Sequence, residues 1–198
     1  MKQTDTNQEI IKFLKIRDVK KPQRKFGDGG IDFFIPNYSE DFVKQLLIVN
    51  ATKPLLVKSG VTQIKGDPPK EPIIEHIIVL PAHCDIKIPS GIRSWIDPNY
   101  VLMFTNKSGV AVNKRLDVSA TTVDSSYQGE IHLCLTNTSD EPVVLNFGEK
   151  IVQGIVHQHY AGEFEVTEGD LSPESSAKFY EGLESHRKTG GFGSTGKE

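Results

Sequence analysis

Cysteine is scarce in this sequence: Cys84 and Cys134 are the two among 198 residues. Both lie in strand-like runs and they form no C-x-x-C pair, which argues against a disulfide framework or a thiolate zinc site and makes the cytoplasm the expected home. Long apolar runs are missing as well. No stretch approaches the roughly 20 residues that span a bilayer, and the opening MKQTDTNQEIIKF lacks the apolar segment of a secretion signal. A soluble protein with no membrane partner is expected. Nor is there an excess of positive charge. The formal net charge is -3 with 25% charged residues, so no global basic field exists to hold nucleic acid by phosphate neutralisation. The H-x-E and P-C-x-x-C signatures of zinc base deaminases are absent too.

What is present reads as a chain of short strands, expected to form one domain over residues 1–198. IIKFLKIRDV suggests an edge strand. The Gly27-Asp28-Gly29-Gly30 cluster requires a turn with positive φ, after which Ile31, Phe33 and Ile35 restart a strand with Asp32 on its other face. Residues 37–75 look like an insertion. Ser39-Glu40-Asp41 can start a short helix with Phe42, Val43, Leu46 and Leu47 on one face, and GDPPKEP at 66–72 is a linker. From IIVLPAHCDIKIPSGI to SWIDPNYVLMFTNKSGVAV, short β-runs are broken by Pro, Gly or Asn about every ten residues, the rhythm of a sandwich or barrel. PVVLNFGEKIVQGIVHQHY adds two strands, with Gly148 at the turn and Gln153 opposite Ile151 and Ile155. A second insertion at about 165–183 carries a helix of roughly three turns, opened by Ser172-Pro173-Glu174 and striped by Phe179, Tyr180 and Leu183. The glycine-rich remainder, 187–198, is an arm that something else must order.

The organising stretch is TTVDSSYQGEIHLCLTN at 121–137. Ile131, Leu133 and Leu135 alternate with His132, Cys134 and Thr136 in the period of a strand. The whole reads as a hairpin, with Val123-Asp124 on one arm, a turn at 125–129 and a return from Glu130. Asp124 and Tyr127 at its mouth can face one small-molecule pocket. Lys107 and Ser108 at a strand end can hold an oxyanion by charge-assisted hydrogen bonds. His157-x-His159 lacks a third metal ligand nearby in sequence. Gly191 to Lys197 fits the first seven positions of a phosphate loop, but Glu198 stands where its Ser or Thr would, so the match is a false one.

Taken together, the blocks GDGGIDFF, NKSGVAV, DVSATTVDSSYQGE, GEKIVQG and RKTGGFGSTG, in this order, resemble the ordered motifs of the trimeric deoxyuridine triphosphatases. The resemblance implies an all-β, jelly-roll-like fold in a homotrimer with C-terminal arm exchange between subunits. It implies hydrolysis of dUTP to dUMP and pyrophosphate, with Mg²⁺ held through substrate phosphates and water and with no direct protein ligand. On matching positions, Asp124 activates water and Tyr127 packs under deoxyribose and excludes a 2′-hydroxyl. Backbone around Val118, Ala120 and Val123 reads the uracil edge. Lys107, Ser108, Gly109 and Gln153 contact phosphate. Arg187 binds phosphate from the arm, Phe192 with Gly193 covers the base, and Ser194 and Thr195 reach the terminal phosphate. Asp32 and Lys150 form a supporting pair.

Departures from the motifs bear on rate and base selectivity. Lys107 replaces an arginine, Glu149-Lys150 an Asp-Arg pair that would loosen pairing with Asp32, and Ala120-Thr121-Thr122-Val123-Asp124 a glycine-bearing run. Alternatives on the same fold are a dCTP deaminase-like enzyme, disfavoured by Cys134 where a glutamate is needed, and a trimeric nucleotide-binding regulator. The insertion at 37–75 would serve a protein partner.

Overall fold

The computed structural model describes residues 10–62, 73–169 and 172–182. Its chain forms two compact units, Met1–Ala161 and Gly162–Glu198. In the first unit every strand pairing is antiparallel. β1 (Ile11–Lys15) leads to β2 (Ile31–Phe34), α1 (Glu40–Val49), β3 (Leu56–Thr62) and β4 (Ile73–Leu80). Then follow β5 (Asp85–Pro89), β6 (Ile92–Ile96), β7 (Tyr100–Asn106), α2 (Ser108–Lys114), β8 (Leu116–Val118) and β9 (Thr122–Val123). β10 (His132–Asn137), β11 (Val143–Asn146) and β12 (Lys150–Gln158) complete the unit.

The strands form sheets in the orders β2-β12-β7-β9, β5-β10-β8, β11-β4-β3 and β1-β6. Their inner faces share one apolar core that includes Phe33, Leu102, Phe104, Ile86, Leu133 and Leu135. Burying rows of Ile, Leu and Phe on one side of each strand is the dominant favourable term in forming such a core. Phe33 meets Phe104 edge-on with ring centroids 4.9 Å apart, an arrangement that the ring quadrupoles favour. Gly154 faces this contact. A Cβ there would lie 2.8 Å from Leu102 Cδ1 and 3.1 Å from Phe33 Cε2, so only glycine admits such close packing.

Several expected elements are found. Gly27 has φ +90° and Gly148 φ +74° at their turns. The helix after Ser39 is capped as its sequence requires, with Phe42 N donating to Ser39 Oγ at 3.2 Å. In β10 the alternation is complete: Leu133, Leu135 and Asn137 are buried, and His132, Cys134 and Thr136 half-buried.

Four details differ. Leu47 is exposed, and α1 buries Phe42 and Leu46 instead. NKSGVAV carries helix α2 rather than a turn and strand. The arms flanking Tyr127 do not pair with each other, because β9 takes its hydrogen bonds from β7, and β10 lies between β5 and β8. Finally, Ile155 shares a face with Gln153, while Ile151 lies opposite because the ladder slips between Lys150 and Val152. An inserted residue reverses the alternation from that point on.

In the second unit, α3 (Pro173–Phe179) is opened by Ser172, whose Oγ accepts from Ser175 N at 3.1 Å. It is shorter than expected. The stripe residues Phe179 and Tyr180 are exposed, and Leu183 lies outside the described residues.

Candidate active site

β2, β12 and β7 lie side by side, so residues in register across them share one face. Gln153 is opposite both Asp32 and Thr105. The bulge after Lys150 gives this face its charge. In a regular strand residues 150 and 153 would point to opposite sides, but the extra residue places Lys150 opposite Phe34 and therefore on the same side as Asp32. Lys107 enters from just beyond β7. Asp32 then receives two ammonium groups, Lys107 Nζ at 2.7 Å on Oδ1 and Lys150 Nζ at 2.9 Å on Oδ2. Burial by itself would raise the Asp32 pKa, yet hydrogen bonds and charge from the two lysines outweigh it and hold the carboxyl below its usual range.

Above this cluster is a cavity of about 350 Å³, lined by Lys25, Asp28, Gly29, Gly30 and Gln153 together with the ion-paired trio. Three lysines against two aspartates leave it with an excess of positive charge. Glycine shapes its floor: a Cβ on Gly30 would come within 2.6 Å of Gln153 Oε1, so a larger residue would displace the amide. Gln153 Nε2 donates to Asn106 O at 3.0 Å. Asn106 in turn donates to Asp117 Oδ1 at 2.9 Å and accepts from Val118 N at 2.7 Å, fastening β8 to the end of β7. A half-open, net-cationic cleft with the Gln153 amide in its lining is fitted to an anion with several oxygens.

The turn after β9 carries a second set of groups. Tyr127 N donates to Asp124 O at 3.1 Å, closing it. Among the described residues the Asp124 carboxylate accepts no hydrogen bond and joins no ion pair, and it is exposed. Tyr127 Oη donates to Glu130 O at 2.8 Å.

A family model for dUTPase matches residues 74–196. The chain belongs to the dUTPase family. Among curated dUTPases, the deoxyuridine 5′-triphosphate nucleotidohydrolase of Helicobacter pylori strain Shi470 is 35% identical over 125 residues, 62% of this chain and 77% of the relative. That of Thermoanaerobacter sp. is 31% identical over 124 residues, 62% and 75% of the two chains. Among solved dUTPases, that of Staphylococcus bacteriophage 80alpha with dUpNHpp superposes with a TM-score of 0.58 over 96% of this chain and 99% of the other, at 17% identity. A dUTPase from phage phi11 of S. aureus, described with a structural Mg(II) ion, gives 0.55 over 83% and 100%, at 16% identity. These likenesses bear out the expected all-β dUTPase fold.

Of the positions matched to dUTPase motifs, Asp32, Lys107, Lys150 and Gln153 come together in the cavity. The Lys150 pairing with Asp32, expected to loosen, is formed at 2.9 Å; Glu149 pairs instead with Lys114 at 2.7 Å. Ser108, Gly109, Ala120, Asp124 and Tyr127 are exposed and do not line that cavity. The Val118 amide is committed to Asn106 Oδ1. Val123 is buried and engaged with Leu102 on β7. Arg187, Phe192, Gly193, Ser194 and Thr195 lie outside the described residues. Lys25 and Asp28 were missed as site residues; the basic run KKPQRK before the Gly27 turn was the available signal. Asn106 and Glu130 lie inside the NKSGVAV and DVSATTVDSSYQGE blocks but were not singled out, since the contacts that give Asn106 its role, with Asp117, Val118 and Gln153, come from packing and not from local pattern.

Proposed function

We propose that this dUTPase-family chain hydrolyses dUTP to dUMP and pyrophosphate by attack of water on the α-phosphate. The observation that carries this is the net-cationic cavity in which residues of the GDGGIDFF, NKSGVAV and GEKIVQG blocks meet on one sheet face. Phosphoryl chemistry depends on positioning and charge stabilisation more than on a strong nucleophile. Lys107, Lys150 and the Gln153 amide supply the positive end. Asp124, exposed and uncommitted, is the base that takes the proton of the attacking water. Tyr127 offers a flat apolar surface for the sugar.

Mg²⁺ fits this site through the substrate. Asp32 is saturated by two lysines, and no group of three or more His, Cys, Asp or Glu residues among those described could hold a metal. The triphosphate oxygens and water would hold the ion, which usually keeps several waters when bound beside phosphates. Its contribution there is to neutralise phosphate charge.

A homotrimer, with Arg187, Phe192, Gly193, Ser194 and Thr195 supplied by an exchanged arm, completes the proposal. Exposed Leu47, Ile48 and Leu56 within the 37–75 stretch support a surface for a protein partner. One incubation with dUTP or dCTP and Mg²⁺, assaying pyrophosphate and ammonia separately, tests the reading. Pyrophosphate from dUTP without ammonia is expected, and ammonia from dCTP would overturn it. Cys134 is consistent with the expected result, because that half-buried position holds a thiol whose pKa is pushed up by burial, not a carboxylate.

A further inference from the structure

Tyr127 is held by its neighbours as well as by its own turn. Its ring folds back over Gly129, where a Cβ would lie 2.4 Å from Tyr127 Oη, and its hydroxyl is fixed on the Glu130 carbonyl. Glu130 is itself pinned. Arg17 donates to its two carboxylate oxygens from Nε and Nη2, each at 2.8 Å, and Gly91 N donates to Oε1 at 2.8 Å. The pair is largely shielded, with 19% and 14% of the two side chains exposed. Gly91 is shaped to the arrangement: it has φ +74°, and a Cβ there would lie 2.9 Å from the Arg17 Cβ. Arg17 also donates to Gln45 on α1. Isolated surface ion pairs contribute little, but a shielded, two-pronged guanidinium–carboxylate pair fixes direction as well as distance.

We infer that Arg17 and Glu130 are positioning residues that set sugar selectivity, holding the Tyr127 ring where it meets the deoxyribose face and blocks a 2′-hydroxyl. This rests on the proposed dUTPase reading. Arg17 lies outside the sequence blocks that define the site. It acts through Glu130 on the orientation of one ring.

The test compares kcat/KM for dUTP and UTP in the full-length wild type, Arg17→Met, Tyr127→Phe and the double variant. Arg17→Met should lower the preference for dUTP by about fivefold or more, the size of coupling found within one hydrogen-bond network, and Arg17→Lys should restore part of it. In the Tyr127→Phe background the same change should have less than about a twofold effect, because coupled residues are not additive. An unchanged preference, or an equal loss in both backgrounds, overturns the inference. Amide exchange of the segment 124–130 provides a readout that does not depend on turnover. It should quicken in Arg17→Met, and unchanged protection also overturns the inference, even if the wild type fails to hydrolyse dUTP. That last failure would remove the proposed function itself. If Arg17→Met does not fold, Glu130→Gln, which keeps the side-chain shape and an acceptor for Gly91, is read against the same outcomes.

Discussion

Asp32 sits between two ammonium groups, and that arrangement fixes how the site responds to acid. Its carboxyl titrates below the ordinary range when folded, despite its burial, because Lys107 and Lys150 stabilise the anion. A depressed folded pKa contributes stability that is complete above the unfolded value of about 3.9 and is lost as pH falls through the lower folded value. Lys150→Met removes one of the two lysines. It should therefore destabilise the protein at neutral pH and do so progressively less below about pH 4, read as the difference in urea midpoint from wild type. An equal deficit at pH 3 and pH 7 would show that Lys150 acts by packing alone. Asp124 is the contrasting carboxylate, exposed and without a fixed partner among the described residues. Asp124→Asn should cut kcat by well over tenfold, more than about 1.4 kcal/mol, while dUTP affinity stays within a few-fold. The carboxylate acts on water, not on the bound nucleotide. A variant retaining a tenth or more of kcat would move the base elsewhere.

At the scale of the element, β12 governs the site. Its bulge puts Lys150 and Gln153 on one face, and its Gly154 lets β7 and β2 close over the core from the other. Gly154→Ala forces a methyl group to within 2.8 Å of Leu102 Cδ1, and Leu102 is itself fully buried. Overpacking of this kind typically costs about 1–3 kcal/mol. The expected result is a lowered Tm in a thermal melt, with Gln153 displaced along with the strand and kcat/KM reduced in the folded fraction. A melt identical to wild type would mean that the core yields without strain at this point. α1 is anchored differently. Asn50, buried just past its end, donates to Leu46 O and Lys87 O and accepts from Lys87 N, stitching the helix to β5. The 37–75 stretch is thereby tied to the body through backbone groups that its sequence pattern did not reveal.

For the whole molecule, every described member of the apolar cluster lies within the first unit. Residues 187–198 are glycine-rich and polar with the one aromatic Phe192, so deleting them should leave a cooperative melt and an unchanged oligomeric mass while abolishing most dUTP turnover. Size-exclusion chromatography with light scattering, run beside the activity assay, checks both. Loss of the oligomer or of the cooperative transition would make the arm structural.

Local chemistry was legible without coordinates. The period-two burial of Leu133 and Leu135, the Ser39 cap, the positive φ in the Gly27–Gly30 cluster, the turn at Gly148, and the short blocks that mark the family depend on residues within a few positions of one another. Such rules are enforced by the chain itself. Strand pairing was not legible, because hydrogen bonds between strands carry no sequence label. Only the tertiary structure decided that β9 joins β7 and not β10. The same holds for the bulge at Lys150, which an alternating reading of KIVQGIV misses and which reverses the face of all that follows. Arg17 and Glu130, 113 residues apart, meet because the fold closes over them. Their ion pair follows from packing geometry that no local pattern encodes.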